Sequence, residues 1–177
     1  MLQETCFGDY RVELRGVDSK NEMKEILSRC KNGFIELEKY ESYGEYFVLT
    51  WHFHNDKKMF GVGVHSNDAG SPPKIVLHHD DNKLMLFCNN RLFVLCLNDG
   101  QVYFSYMSDS TIYDTSLHKN TIVVISELSI VQLKRNGETL ISHTLDDVLE
   151  SFEFVCETLF CKTMRSSISY ELIEEIT

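Results

Sequence analysis

Between Tyr46 and Val64 apolar and polar side chains alternate with a period of two. Phe47, Leu49, Trp51 and Phe53 form one apolar set, Phe60, Val62 and Val64 another, and Asn55-Asp56-Lys57-Lys58 separates them. Successive side chains on a strand point to opposite faces, so the pattern predicts a hairpin with one apolar face. A loop centred on Asp56-Lys57 would pair Phe53 with Phe60, Trp51 with Val62 and Leu49 with Val64. On the other face Gly61 would then lie across from His52, and Gly63 across from Thr50. Glycine in a strand interior weakens it unless a backbone, a bulky side chain or a ligand comes close. That predicts either the packing of a helix on this face or a groove for a partner.

Upstream, Tyr10-Arg11-Val12-Glu13-Leu14 alternates and predicts another strand. One stretch has a helical period instead: Met23, Ile26, Leu27 and Cys30 recur at i, i+3, i+4 and i+7. Ser19 and Glu22 ahead of it form a capping box and Gly33 supplies a stop, so an α-helix is predicted over about 19–32. The run from Ser66 to Pro73 reads as a loop between a first part, 1–66, and a second, 74–177, on one continuous core. Val148 to Phe154 fits a short helix or a strand, with Asp147 as N-cap in the helical case.

The second part carries a repeat. Asn98-Asp99-Gly100 and Arg135-Asn136-Gly137 each lie between apolar runs, with their glycines 37 residues apart. Asp-Gly and Asn-Gly tolerate positive φ, the requirement of a tight hairpin turn. Shifting by that step lays Leu86 on Val123, Phe87 on Val124, Cys88 on Ile125, Phe93 on Ile130, Val94 on Val131 and Phe104 on Ile141. Each copy reads as a strand (83–88), a turn at Asn89-Asn90, a strand (91–97), the glycine turn and a third strand (101–106). A fainter third copy takes Val131 to Ile168 but Ile130 to Ser167. This unit resembles a β-propeller blade of the quinoprotein type, in which a strand ends in a leucine just before an Asx-Gly turn. The resemblance covers residues 83–143. A closed propeller needs about four four-stranded blades, for which this chain has too few residues. The predicted fold is therefore mainly β, a single domain of antiparallel propeller-like units in an open stack or sandwich, with one N-terminal helix and its first and last edges covered.

At 177 residues and 43% hydrophobic, with two prolines, the chain is globular. No apolar run approaches the ~20 residues of a membrane helix, and Met1 to Cys6 has no signal-peptide pattern. Six cysteines without a C-x-x-C pair predict reduced, buried thiols in a cytoplasmic protein.

Charge is the strongest clue to function. Seventeen Lys and Arg face 27 Asp and Glu, a net charge of −10, which argues against nucleic-acid binding. Acid concentrates in two places. From Asp146 to Thr177 eight carboxylates, among them Asp146, Asp147, Glu150 and Glu153, face only Lys162 and Arg165. Glu36, Glu38 and Glu41 are interleaved with Tyr40, Tyr43 and Tyr46, and tyrosine supplies interface energy at low entropy cost. These two stretches are the expected partner-binding residues.

Histidine suggests an alternative. His52, His54, His65, His78 and His79 put five of the seven histidines within 28 positions. His52-Phe53-His54 resembles the first half of a cupin metal motif, but the glutamate that follows in cupins is missing. In the expected register His65 lies opposite Val48, about 13 Å along the strand from His52 at ~3.3 Å per residue. A zinc–nitrogen bond is only ~2 Å, so a metal-dependent enzyme would need His52 and His54 with His78 or His79. No nucleophile elbow and no Gly-rich phosphate loop is present. The sequence thus points to a cofactor-free, non-enzymatic binding protein. In general character it is similar to the immunity proteins of bacterial toxin systems, including contact-dependent growth inhibition. That resemblance implies a basic partner, often a nuclease, occluded by carboxylates; a scaffold module is the remaining alternative.

Overall fold

A computed structural model describes residues 2–7, 9–37, 44–53, 59–66, 72–78 and 82–174. The chain forms two compact units, Met1–Asn89 with Phe93–Tyr103, and Asn90–Leu92 with Phe104–Thr177. Among the described residues the strands fall into four antiparallel sheets, each built from strands consecutive in the chain.

The first sheet orders β1 (Leu2–Phe7), β2 (Tyr10–Val17), β3 (Glu45–Phe53) and β4 (Met59–Ser66). Period-two alternation turns Val12, Leu14, Phe47, Leu49, Trp51, Val62 and Val64 to one face, where they bury against Leu84, Leu86, Leu95 and Leu97. The β3–β4 register pairs Trp51 with Phe60, Leu49 with Val62 and Phe47 with Val64, two residues from the expected alignment. The reason lies in the period: an even slip leaves every side chain on its own face, so alternation cannot resolve it. The structural register brings the Trp51 and Phe60 rings to 6.0 Å. Gly61 consequently pairs with Thr50 and Gly63 with Val48.

Helix α1 (Lys20–Leu27) covers the glycine face. The Ser19 hydroxyl accepts from Glu22 N at 3.2 Å, and the Glu22 carboxylate accepts from Asp18 N at 2.9 Å. The helix stops five residues short of the expected end, and turns carry Cys30 onto the same buried cluster as Met23, Leu27 and Val48. A Cβ at position 61 would lie 2.7 Å from Cys30 Sγ, and one at 63 would lie 2.5 Å from Met23 Sδ. A helix, then, and not a partner groove, explains both glycines.

Strand β4 closes this sheet, and an unpaired edge of that kind invites association with another chain. Residues 31–37 cover it. Lys31 N donates to Met59 O, Gly63 N to Ile35 O, and Leu37 N to Gly63 O. Between them the Asn32 amide accepts from Gly61 N at 3.0 Å and donates to Gly61 O at 2.8 Å and Gly100 O at 3.1 Å.

The second sheet runs β5 (Lys74–His78), β6 (Lys83–Cys88), β7 (Arg91–Cys96) and β8 (Val102–Met107). The third runs β9 (Ile112–His118), β10 (Thr121–Ser126), β11 (Ser129–Lys134) and β12 (Thr139–Thr144), and the fourth runs β13 (Leu149–Val155), β14 (Thr158–Thr163) and β15 (Ser167–Glu171). The 37-residue step recurs in the strand starts, from β9 (Ile112) to β13 (Leu149), from β10 (Thr121) to β14 (Thr158) and from β8 (Val102) to β12 (Thr139), while the other corresponding strands start one residue later than that step. The backbone repeats with it. Asn82, Lys119 and Cys156, one step apart, adopt φ of 49°, 50° and 55°, and Gly100 and Gly137 adopt 75° and 91°. The third copy is present with one strand fewer than the others, and Leu149–Val155 forms strand β13 rather than a helix. Asp147 caps no helix there; its Oδ1 accepts from Val148 N at 2.8 Å as the chain enters β13. The third and fourth sheets share a core of Val123, Ile125, Ile130, Leu149, Leu159 and Cys161.

Candidate protein-interaction surface

The acidic stretch expected to bind a partner begins at the turn into the fourth sheet. Asp146 is exposed but tied to its neighbours: Thr163 Oγ1 donates to its Oδ1 at 2.8 Å. Hydrogen bonds from Ser166 and Thr163 keep its carboxyl below the usual aspartate range. Thr163 Oγ1 also accepts from Ser166 N, as Ser126 Oγ, one repeat earlier, accepts from Ser129 N. Asp146 is therefore part of a recurring turn network. Asp147 pairs with Arg165 at 3.0 Å and Glu150 with Lys162 at 2.9 Å. Glu153, by contrast, is exposed on β13.

A wider accounting shows why acid remains. The second unit has twelve carboxylates and six cations in its sequence. Lys119 binds Glu157 at 2.7 Å and Glu174 at 3.0 Å, and Lys134 binds Glu138 at 2.8 Å. Those contacts raise the Lys119 ammonium pKa and lower the Glu157 and Glu138 carboxyls. With Lys162 and Arg165 also engaged, four of the six cations sit in local ion pairs while Glu153 and Glu171 stand exposed.

The second expected stretch fares differently. Glu38, Tyr40, Glu41 and Tyr43 lie outside the described residues. Glu36 is described and is not displayed: its side chain is 3% exposed and pairs with Lys20 at 2.9 Å. Its backbone bridges Gly63 at the β4 edge, which turns the carboxylate inward. Tyr46 stacks on His65 at 4.5 Å.

The histidines do not assemble where they can be seen. His52 pairs with Arg11 and Met59, and His65, 1% exposed, pairs with Tyr46. Six residues of strand separate the two, about 20 Å and farther than the sequence register implied. His78 ends β5, while His54 and His79 lie outside the described residues. Among the described residues no three His, Cys, Asp or Glu side chains meet in a metal-holding set.

All six cysteines are free. Cys30, Cys88 and Cys161 are buried as expected, and burial pushes the Cys161 thiol up to about 11. Cys6 and Cys156 are exposed, against expectation, because one sits on the first strand and the other on the β13–β14 turn. No described helix is long and apolar enough to cross a membrane.

The sequence matches no family model and no curated protein. Solved structures do match. The fold is propeller-like. The crystal structure of Saccharomyces cerevisiae Sqt1 superposes on 72% of this chain and 42% of its own, with a TM-score of 0.52 and 12% identity. BBS1N in complex with ARL6DN superposes on 79% of this chain and 46% of its own, with a TM-score of 0.50 and 9% identity. BamB from Moraxella catarrhalis also matches, over 74% of this chain and 40% of its own, with a TM-score of 0.47 and 10% identity. The chain spans less than half the length of these structures. At such identities the likeness concerns the fold alone.

Proposed function

We propose that this chain is a non-catalytic protein-binding module whose partner is a basic protein. The observation that carries the reading is the charge balance of the second unit: four of its six cations are held in local ion pairs, and exposed carboxylates, Glu153 and Glu171 among them, remain on its sheets. Exposed charge on a preorganised surface speeds encounter with a complementary partner and fixes its register. Among the structural neighbours, BBS1N was solved in complex with another protein, ARL6DN, so a related frame does serve protein binding. The specific form we favour is inhibition. An acidic surface laid over a basic toxin, such as a nuclease, would put carboxylates where substrate phosphates otherwise sit.

Affinity purification of the tagged chain at moderate salt, followed by kinetics with the retained protein, tests this. The reading expects a basic partner whose association rate falls steeply between low and physiological ionic strength. If that partner is a nuclease, a stoichiometric amount of the chain abolishes its cleavage. Retained proteins of neutral or acidic character, or an association rate indifferent to salt, would refute it.

A further inference from the structure

The fourth sheet differs from the others in one way that the repeat does not predict. Strands β6 and β10, in the corresponding place of their sheets, are buried along nearly their whole length on both faces. Strand β14 alternates: Leu159, Cys161 and Thr163 are buried, while Phe160 and Lys162 are exposed. One face of this sheet is thus exposed, with mostly polar residues around Phe160 and Val155.

The register shows what that face presents. Ser151, Lys162 and Ser167 form one cross-strand row, Glu153, Phe160 and Ser169 the next, and Val155, Thr158 and Glu171 the third. Phe160 occupies the middle of the grid and is 47% exposed. Serine occupies three of the surrounding places, and small side chains beside a large ring leave an open groove of about 740 Å³ along this face. Glu153 lies directly across from the ring and Glu171 diagonally, within ~5 and ~8 Å between side-chain origins. The nearby cation, Lys162, is held by Glu150 at 2.9 Å. An aromatic face beside two exposed carboxylates, Glu153 in the groove with Ser151, Ser167 and Ser169 and Glu171 on the neighbouring row of the same face, is complementary to a guanidinium. Arginine stacks on aromatic faces while its fork reaches carboxylate oxygens.

We propose that this face is the docking site, and that its occupant is an arginine-bearing segment of a basic protein, seated with its guanidinium on Phe160 and its donors on Glu153 and Glu171. The proposal rests on the basic-partner reading above and adds to it the surface and the anchoring side chain. Nucleic acid is excluded as occupant by the same carboxylates, which repel phosphate.

The test uses the whole chain, 15N-labelled, titrated with a blocked Arg-Gly-Arg-Gly-Arg peptide and with its lysine and glutamate counterparts. Amide shifts are expected at residues 151–153, 160–162 and 167–171, larger for the arginine peptide than for lysine and absent for glutamate. Phe160→Ala and the double change Glu153→Gln, Glu171→Gln are each expected to weaken binding about tenfold or more. Both alter exposed side chains, and urea midpoints check that the fold is kept. Shifts at other acidic positions, or equal affinity in the Phe160→Ala chain, would overturn the assignment of this face while leaving a basic partner in place. No response to the arginine peptide would also overturn it; the basic-partner reading itself falls separately, on salt-independent association of the purified partner.

Discussion

Removing the side-chain amide of Asn32 offers a sharp test of how the first unit is held together. That one amide makes three hydrogen bonds, two to the edge of β4 at Gly61 and one to the carbonyl of Gly100 in the β7–β8 turn. At about 1 kcal/mol net per bond, Asn32→Ala should cost about 2–3 kcal/mol, the lower figure applying where water reaches the freed groups. Asn32→Asp should cost more despite its shape. An ionised carboxylate still accepts from Gly61 N, but it sets a negative oxygen against the carbonyls of Gly61 and Gly100. Facing them would raise the carboxyl pKa in the folded state, so the Asp variant should regain stability as pH falls and a proton restores a donor. Urea unfolding followed by the fluorescence of Trp51 is the assay. Trp51 is the single tryptophan, fully buried, and its indole donates to Leu97 O at 2.8 Å, so it reports this unit. An alanine variant within about 0.5 kcal/mol of the parent, or an aspartate variant no worse than alanine at neutral pH, would refute the reasoning.

Other consequences are as direct. Gln132 is buried, and its amide both accepts from Ile173 N and donates to Ile173 O, so Gln132→Leu should release residues 172–174 and raise hydrogen exchange at Leu172 and Ile173. Gly137→Ala should destabilise by about 1–3 kcal/mol in thermal unfolding, because φ is +91° and the new methyl would meet the Phe104 ring at 2.5 Å. Asp146 has a folded pKa below its unfolded one, so the stability it adds is present above the unfolded value and lost as pH falls through the folded one; Asp146→Asn should flatten the acid limb of a pH–stability curve below about pH 4. Lysine 119 runs the other way, its raised pKa adding stability that disappears only in strong alkali, and Lys119→Met should remove that alkaline dependence.

What the sequence determined by itself was local and periodic. Alternation in Phe47–Phe53 and Phe60–Val64, the Ser19 cap with Met23 and Leu27, and two Asx-Gly turns one step apart specify strands, a helix and a repeated antiparallel unit, because each depends on neighbours a few residues away. Even the glycines of β4 announced that something must lie on them. Tertiary structure alone decided the rest. An even slip in the β3–β4 register leaves the pattern unchanged, so only the packed Trp51–Phe60 pair distinguishes it. Lys119 and Cys156 hold the same left-handed turn as Asn82 with no glycine or Asx to mark them, since the flanking strands impose it. Charge balance was legible in the sequence, but which carboxylates stand free was not. Asp146 and Glu150 do lie at the surface, but only the fold shows that hydrogen bonds and ion pairs tie Asp146, Asp147 and Glu150 to Thr163, Arg165 and Lys162, and that Glu36 is turned inward against Lys20. Whether a carboxylate is free to meet a partner depends on which cation the fold brings beside it, and that is a long-range fact.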